Sequence, residues 1–279
     1  MILLSMNGMG QNKPNGGVGD PSKYYDIMVK DCFRNPAKYN VKVGIDSVRP
    51  NTQMRGQRIW RTIALDSREN QMLFNTNGGT CTQIGLFEVI KFGLFEKKLN
   101  AFSNDNFNEV EKSRMNPDEL KAKMSYRDTT EEVYFDAQGA ETKSVSIQNR
   151  YYYNSDIKSY LLKEDWIINS HSGKLEKKIV GLAPLVFDRK SEKIVPMFWL
   201  YYNEWKNLFA SFEAKNFYSN ERISYREIFE KKYFISQVSK ESNIFDRNIK
   251  YYKFGQESSL ESEIIKSKLN NSEKDLFEH

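Results

Sequence analysis

Few residues in this chain belong to the types that most often perform catalysis. The 279-residue sequence contains two histidines, His171 and His279, and two cysteines, Cys32 and Cys81. General acid–base and nucleophilic catalysis usually recruit histidine, cysteine or a carboxylate with a shifted pKa. His171 falls in a turn-like segment (170–173, SHSG) and His279 is the last residue, so neither is placed for a buried site. A pair of carboxylates from distant parts of the chain stays open as an alternative, but nothing singles one out among the 37 acidic residues, so the sequence predicts no particular catalytic residue.

Cofactor and metal motifs are also missing from the sequence. Gly78 and Gly79 precede Thr80 and Cys81 without the lysine that a phosphate-binding loop needs. No His/Cys cluster has zinc spacing and no acidic loop has the spacing of a calcium site. We therefore expect no cofactor and no metal. Cys32 and Cys81 would form one disulfide if the compartment is oxidising and their Cα atoms lie within reach, which the sequence does not establish.

Two basic-aromatic segments raise a nucleic-acid alternative. They are 150–153 (RYYY) and 250–253 (KYYK). Aromatic rings stack on unpaired bases while Lys and Arg hold phosphates, so one hypothesis is a single-stranded nucleic-acid binding module. The net charge is only +5, from 42 basic and 37 acidic residues that are interleaved along the chain. Such a mixed surface cancels its own field at short range, which favours ordinary solvated charges beside packed aromatics.

The periodicity of the apolar residues predicts an α+β fold with a small, mainly antiparallel sheet. The predicted strands are 59–65, 166–168, 179–182 and a central strand at 197–202, with Pro184 and Pro196 marking the ends of ladders. The predicted helices are 82–92 ended by Gly93, one opened by Asn116-Pro117, one from Asn154 or Ser155 through Leu162, two covering helices beginning at Asn203 and Ser224, and 259–269. The polar region 97–146 is expected to form surface loops and small hairpins. We expect Trp166, Trp199, Trp205 and Phe209 to belong to the core.

The chain is divided by composition into four regions. Residues 1–23 are rich in Gly and Pro and are predicted to be a flexible lead-in, with residues 1–10 either an ordinary N-terminus or the remnant of a secretory signal. An N-terminal region of short helices and surface loops (24–154) and an α+β core (155–253) follow. The helical tail (254–279) is expected either to pack on its own domain or to order by docking on a neighbour. No apolar window is long enough to span a membrane.

Five blocks carry a resemblance to a known family. They are 60–70 (WRTIALDSREN), 163–166 (KEDW), 181–184 (GLAP), 198–202 (FWLYY) and 240–247 (KESN, then DR). Their order and separation resemble those of the GldN/PorN proteins of the gliding-motility and type IX secretion machinery of Bacteroidetes. The resemblance covers residues 55–103 and 155–252, while the region between them and the N-terminal segment diverge.

This resemblance implies a protein of the periplasm without catalytic activity. It implies a ring scaffold that self-associates, assembles with an outer-membrane lipoprotein of the GldK/PorK kind, contacts the GldM/PorM motor component and binds no nucleic acid. Association with the outer membrane would then run through the partner. Four residues within the shared blocks are candidate interaction residues: Arg61, Arg68, Asn243 and Arg247. For Arg68 and Arg247 the alternative is that they anchor loops through internal ion pairs or carbonyl contacts.

Overall fold

The computed structural model describes ten strands and seven α-helices. The described residues are 32, 53–74, 84–107, 110–135, 141–169, 175–189, 191–215, 222–242 and 248–275. The strands are β1 (Gln53–Ala64), β2 (Ser125–Phe135), β3 (Glu141–Tyr151), β4 (Ile157–Asn169), β5 (Leu175–Asp188), β6 (Lys193–Pro196), β7 (Leu200–Tyr201), β8 (Glu213–Lys215), β9 (Arg222–Ser224) and β10 (Gln237–Glu241). The helices are α1 (Gln71–Phe74), α2 (Leu86–Phe95), α3 (Val110–Ser113), α4 (Pro117–Lys123), α5 (Tyr202–Ala210), α6 (Tyr225–Glu230) and α7 (Gln256–Asp275), with 3₁₀ turns at Arg68–Asn70, Asn154–Asp156 and Ile249–Tyr251.

Six strands form one antiparallel sheet. Its order is β10-β1-β4-β5-β6, and the short strand β7 also pairs with β5. Strands β1 and β4 pair from Gln53↔Asn169 to Ala64↔Ser159, and β4 pairs with β5 along most of its length. Strand β4 is therefore the centre of the sheet, and the sheet takes strands from both sides of the boundary expected near residue 154.

Side chains of one sheet face lie under two separate helical covers. Because alternate residues of a strand point to the same face, Tyr160 and Leu162 of β4 lie beside Trp166 on this face. Tyr160 and Leu162 belong to the main hydrophobic cluster, which includes residues of α2, α5 and α6. Trp166 belongs to a second cluster that includes Ile265 of α7. The opposite face carries a smaller cluster of Trp60, Phe102, Ala183 and Trp199.

Two helix starts follow local hydrogen-bonding signals in the sequence. In α4 the side chain of Asn116 accepts from the backbone N–H of Glu119, whose carboxylate accepts in turn from the N–H of Asn116. Ser224 and Glu227 make the same reciprocal pair at the start of α6. These capping boxes confirm the predicted starts of both helices.

The predicted α+β class is confirmed, as is the extended segment 59–65, most of which lies in β1. The predicted strands 166–168 and 179–182 lie in β4 and β5. The four predicted core aromatics are all buried: Trp166, Trp199, Trp205 and Phe209.

Several predicted elements are wrong. Residues 157–162 belong to β4 and not to a helix, because Tyr160 and Leu162 pack on one face of the sheet and Leu161 on the other. Pro184 lies within β5, opposite Tyr160, and does not end the ladder. In the predicted central strand 197–202 only Leu200 and Tyr201 form a strand, Trp199 makes an isolated bridge with Phe102, and helix α5 begins at Tyr202, one residue before the expected cap Asn203. The polar region contains one long hairpin, β2–β3, in place of small ones.

Gly93 lies inside helix α2 and does not end it. A Cβ at this position would collide with the ring of Trp205 and the side chain of Leu208 in α5. Gly93 therefore allows the two helices to approach closely. All residues from Leu86 to Leu94 are buried, so α2 is a core helix without the predicted amphipathic character.

Helix α7 packs on its own sheet. Its Ile265 lies in the second cluster, and the hydroxyl of Ser262 accepts a hydrogen bond of 2.8 Å from the backbone N–H of Val238 in β10. Leu260 and Ile264, which the sequence placed on the same stripe, are exposed. None of the described helices is both long and apolar enough to cross a membrane. The predicted lead-in 1–23, with the signal remnant 1–10, lies outside the described residues.

Cys32 is disulfide-bonded and buried in the main cluster. The chain has one other cysteine, Cys81, which lies outside the described residues. A disulfide that joins distant positions restricts the unfolded chain and so stabilises the folded one.

Replacing Gly93 with Ala should destabilise the protein by about 1–3 kcal/mol, because overpacking outweighs the gain of about 1 kcal/mol that Ala brings to a helix. Urea unfolding measures the difference. The control is Ser267→Ala on the exposed side of α7, which should be neutral or slightly stabilising. A Gly93→Ala protein that is as stable as the wild type would contradict the close packing of α2 and α5.

Replacing Cys32 and Cys81 together with Ser should lower the free energy of unfolding by about 2–5 kcal/mol. Urea unfolding with and without a reducing agent checks this. Reduction should destabilise the wild type to a similar extent and leave the double variant unchanged. A wild type that migrates as a disulfide-linked dimer without reducing agent would show instead that the bond joins two chains.

Candidate interaction surface

A buried carboxylate lies between the two helical covers of the sheet. Glu164 follows Leu162 and precedes Trp166 on the same face of β4, and its side chain is 1% exposed. One oxygen accepts from Arg61 Nε of β1 at 2.9 Å and from Trp166 Nε1 at 2.9 Å. The other oxygen lies 3.0 Å from Lys232 Nζ, just beyond the end of α6. The carboxylate therefore connects two strands and the helical layer.

Cations also surround the ring of Trp166. The guanidinium of Arg61 and the ammonium of Lys232 each lie 5.3 Å from the ring centroid, and Lys177 Nζ of β5 lies 4.2 Å from it. At these distances the negative face of an indole attracts a cation. Trp166 and Glu164 thus both stabilise cations that are partly removed from water.

The charges of this cluster perturb one another in a consistent direction. Burial alone would raise the pKa of Glu164, but the positive charges of Lys232 and Arg61 and the Trp166 donor outweigh burial and hold that pKa below its usual value. Burial lowers the pKa of Lys232, and the neighbouring charges of Arg61 and Lys177 act in the same direction against the attraction of Glu164. Glu164 is accordingly ionised at neutral pH.

A second ionic cluster lies on the opposite face of the sheet. The ammonium of Lys163 lies 3.0 Å from a carboxylate oxygen of Asp105 and also donates to the Asp105 carbonyl. The indole of Trp60 donates to the same carboxylate at 2.8 Å. Burial raises the pKa of Asp105, but the Lys163 and Trp60 donors outweigh burial, so the pKa is lowered overall. Beside this cluster Arg58 makes two hydrogen bonds to Asp165.

The four candidate interaction residues are distributed differently. Arg61 is buried in the Glu164 cluster, where its guanidinium is directed at an internal carboxylate. Arg68 is exposed in the 3₁₀ turn after β1. Asn243 and Arg247 lie outside the described residues. Sequence reasoning missed Glu164 and Lys232; the signal available for Glu164 was a run of charges, Lys163 to Asp165, inside an otherwise apolar stretch.

The basic-aromatic segments make ordinary structural contacts. Arg150 pairs with Asp128 at 2.8 Å, and the ring of Tyr152 packs against Tyr126. Lys253 lies 3.6 Å from Glu257 on the first turn of α7. No group of three or more metal-ligating side chains occurs within the part of the chain that the structure describes.

Comparison with known families shows which family this chain belongs to. The family model described as "Gliding motility associated protein GldN" matches residues 48–278. The chain belongs to the GldN family. Membership implies a component of the gliding-motility and type IX secretion machinery. A search of curated proteins finds no match.

The match places the ion clusters within the region that defines a GldN chain. Arg61, Glu164 and Lys232 all lie between residues 48 and 278, as do Lys163 and Asp105. In this GldN protein Arg61 and Glu164 of these blocks join the sheet to the end of α6, Lys163 joins it to Asp105 on the opposite face, and Asp165 pairs with Arg58 of β1.

Replacing Glu164 with Gln should destabilise the protein by about 3–5 kcal/mol at pH 7, because two partly buried cations lose their counter-charge. Since the folded pKa of Glu164 is lowered, its stabilising effect is present above the unfolded value of about 4.3 and is lost as the pH falls through the folded pKa. The wild type should therefore approach the variant in stability below about pH 4. The lowered pKa of Lys232 has the opposite sign: its buried charge costs stability at low and neutral pH, and this cost is relieved only as the pH rises through the folded pKa toward the ordinary value of 10.5.

Urea unfolding of both proteins between pH 3 and pH 7 measures this convergence. The matched control is Glu263→Gln, which breaks an exposed pair with Lys266 and should change stability by less than about 1 kcal/mol. Parallel pH curves for the wild type and Glu164→Gln would contradict the assignment of an ionised Glu164.

Proposed function

We propose that this GldN-family chain is a non-catalytic structural component of a periplasmic type IX secretion and gliding-motility ring. It assembles with an outer-membrane lipoprotein of the GldK/PorK kind, contacts the GldM/PorM motor component and self-associates in the ring. The observation that carries the proposal is the family match over residues 48–278.

The chemistry of the ionic residues supports a scaffold. Glu164 is directed at Arg61 and Lys232, and Asp105 at Lys163 and Trp60. Each carboxylate is held ionised by fixed internal donors, which is the state that stabilises a fold, whereas an acid–base catalyst needs a pKa near the working pH. We therefore assign these groups to structure.

The disulfide supports the proposed location in the periplasm. Disulfides persist in oxidising compartments, including the bacterial periplasm, and are rare in the cytosol. Cys32 is both disulfide-bonded and buried in the main cluster, so the bond is part of the core. The family match and the buried disulfide together support the proposal of a periplasmic scaffold.

Fractionation of the native cell tests the proposal. The protein should be recovered with the cell envelope and should copurify with the lipoprotein. It should not show the salt-sensitive binding to single-stranded RNA that is typical of a nucleic-acid binding protein. A matched purification from cells lacking the lipoprotein should yield the protein without the assembly. Recovery from the cytosol, bound to RNA and free of envelope proteins, would overturn the proposal.

A further inference from the structure

The basic segment 250–253 (KYYK) forms a single helical turn before α7. The backbone N–H of Lys253 donates to the carbonyl of Ile249 at 2.9 Å. Ile249 is buried in the second cluster, and Tyr252 packs against the same cluster. Residues three apart in a helical turn lie on the same side of it. Lys250 and Lys253 therefore share one side of the turn, and Ile249 and Tyr252 hold another side to the protein.

Both lysines line one surface cavity, whose volume is about 300 Å³. Gln237 at the start of β10 forms a second wall, and Phe254 forms a third. The first turn of α7 closes the cavity with Ser258 and Ser259. The cavity thus brings together side chains from β10, from the turn and from α7.

The elements around this cavity are held to one another by contacts in the interior. The hydroxyl of Ser262 in α7 accepts from the backbone N–H of Val238 in β10, and Asn248 makes an isolated bridge with Lys240 of β10. Gly255, at the corner between the turn and α7, has a left-handed backbone with φ 55, which glycine adopts without strain. The cavity is therefore formed before any ligand enters, as is usual for small-molecule sites.

The polar groups that line the cavity favour a negatively charged ligand. Lysine carries only donors, while serine and glutamine can both donate. No carboxylate lines the cavity among the described residues. Lys250 is exposed and makes no ion pair within the described part of the chain. Lys253 lies 3.6 Å from Glu257, whose side chain is 70% exposed, and such exposed pairs are weak.

Phe254 adds an apolar wall beside the two lysines. It is 76% exposed, more than any other large apolar side chain in the described part of the chain. The volume of the cavity lies at the lower end of the range for small-molecule sites, so it has room for more than a bare anion. A ligand with an anionic group and an apolar group would use both kinds of wall.

We propose that this cavity, here called the Lys250 cavity, binds a phosphate ester. The ammonium groups of Lys250 and Lys253 pair with the phosphate oxygens, and the ring of Phe254 packs against the apolar part of the ester. A phosphate monoester carries between one and a half and two negative charges at neutral pH, which matches two lysines better than one carboxylate does. This binding activity is separate from the proposed function and does not depend on it.

Calorimetric titration of the full-length protein with phenyl phosphate tests the Lys250 cavity. Lys250→Gln and Lys253→Gln should each raise Kd by about tenfold, as expected for the loss of a hydrogen bond to a charged group. The matched control is Lys193→Gln, which removes the same charge at an exposed position of β6, at the other edge of the sheet. The control should bind within about twofold of the wild type.

Phe254→Ala tests the apolar wall separately. The wild type should bind phenyl phosphate more tightly than inorganic phosphate, and Phe254→Ala should lose this preference while its affinity for inorganic phosphate is unchanged. Phe187→Ala, at another exposed phenylalanine, should keep the preference. All four positions are exposed or half-buried at the surface, so the variants should remain folded.

Vesicle sedimentation distinguishes the sources of the phosphate. Vesicles of phosphatidylcholine with phosphatidic acid are compared with vesicles of phosphatidylcholine alone. Binding to phosphatidic acid that both lysine variants lose would support the proposal with a lipid headgroup as the ligand. Binding of phenyl phosphate without binding to vesicles would support it with a free ester. A wild type that does not bind phenyl phosphate, or lysine variants that bind it no more weakly than Lys193→Gln does, would overturn the proposal.

Discussion

The buried carboxylate of Glu164 is the interaction on which the arrangement of this molecule depends. It lies where the main cluster and the second cluster meet on one face of the sheet, and it binds Arg61 from β1 and Lys232 from the end of α6. A buried ion pair adds little net stability compared with apolar packing, because both charges lose their hydration. Its larger effect is on specificity, because any arrangement of the chain that left Glu164 buried without a cation would be very unfavourable. We therefore expect Glu164 to favour the observed register of β1 against β4 and the observed path of the chain after α6.

Local signals in the sequence predicted the parts of the fold that local hydrogen bonds determine. The capping boxes at Asn116 and Ser224 are complete within four residues, so the sequence contains everything needed to recognise them. The strand β4 was misread at its start because the residues around Leu161 fit a helix equally well in isolation. Only pairing with β1 and β5 on both sides makes this stretch extended, and neither partner is adjacent in the sequence.

The same reasoning explains why Glu164 and Lys232 of the buried ionic cluster escaped prediction. Arg61 was recognised as a charge within an apolar block, but its partner could not be named because ion pairs between strands depend on register. Lys232 was not recognised at all, since it follows a helix on the surface and its role depends on a left-handed backbone turn toward the sheet. Likewise Gly93 matched a helix terminator, while its actual role is to admit Trp205 of a distant helix. Each of these roles is set by a contact between parts of the chain that are far apart in sequence.

Fixed contacts link the buried cluster to the surface of the protein. Lys232 reaches Glu164, and three residues later the backbone of Ile235 is bound by Asn70, so the same short segment spans the interior and the surface. The buried ion pair and the Asn70 hydrogen bonds together therefore hold the exposed stretch from Tyr233 to Ile235 in one backbone conformation.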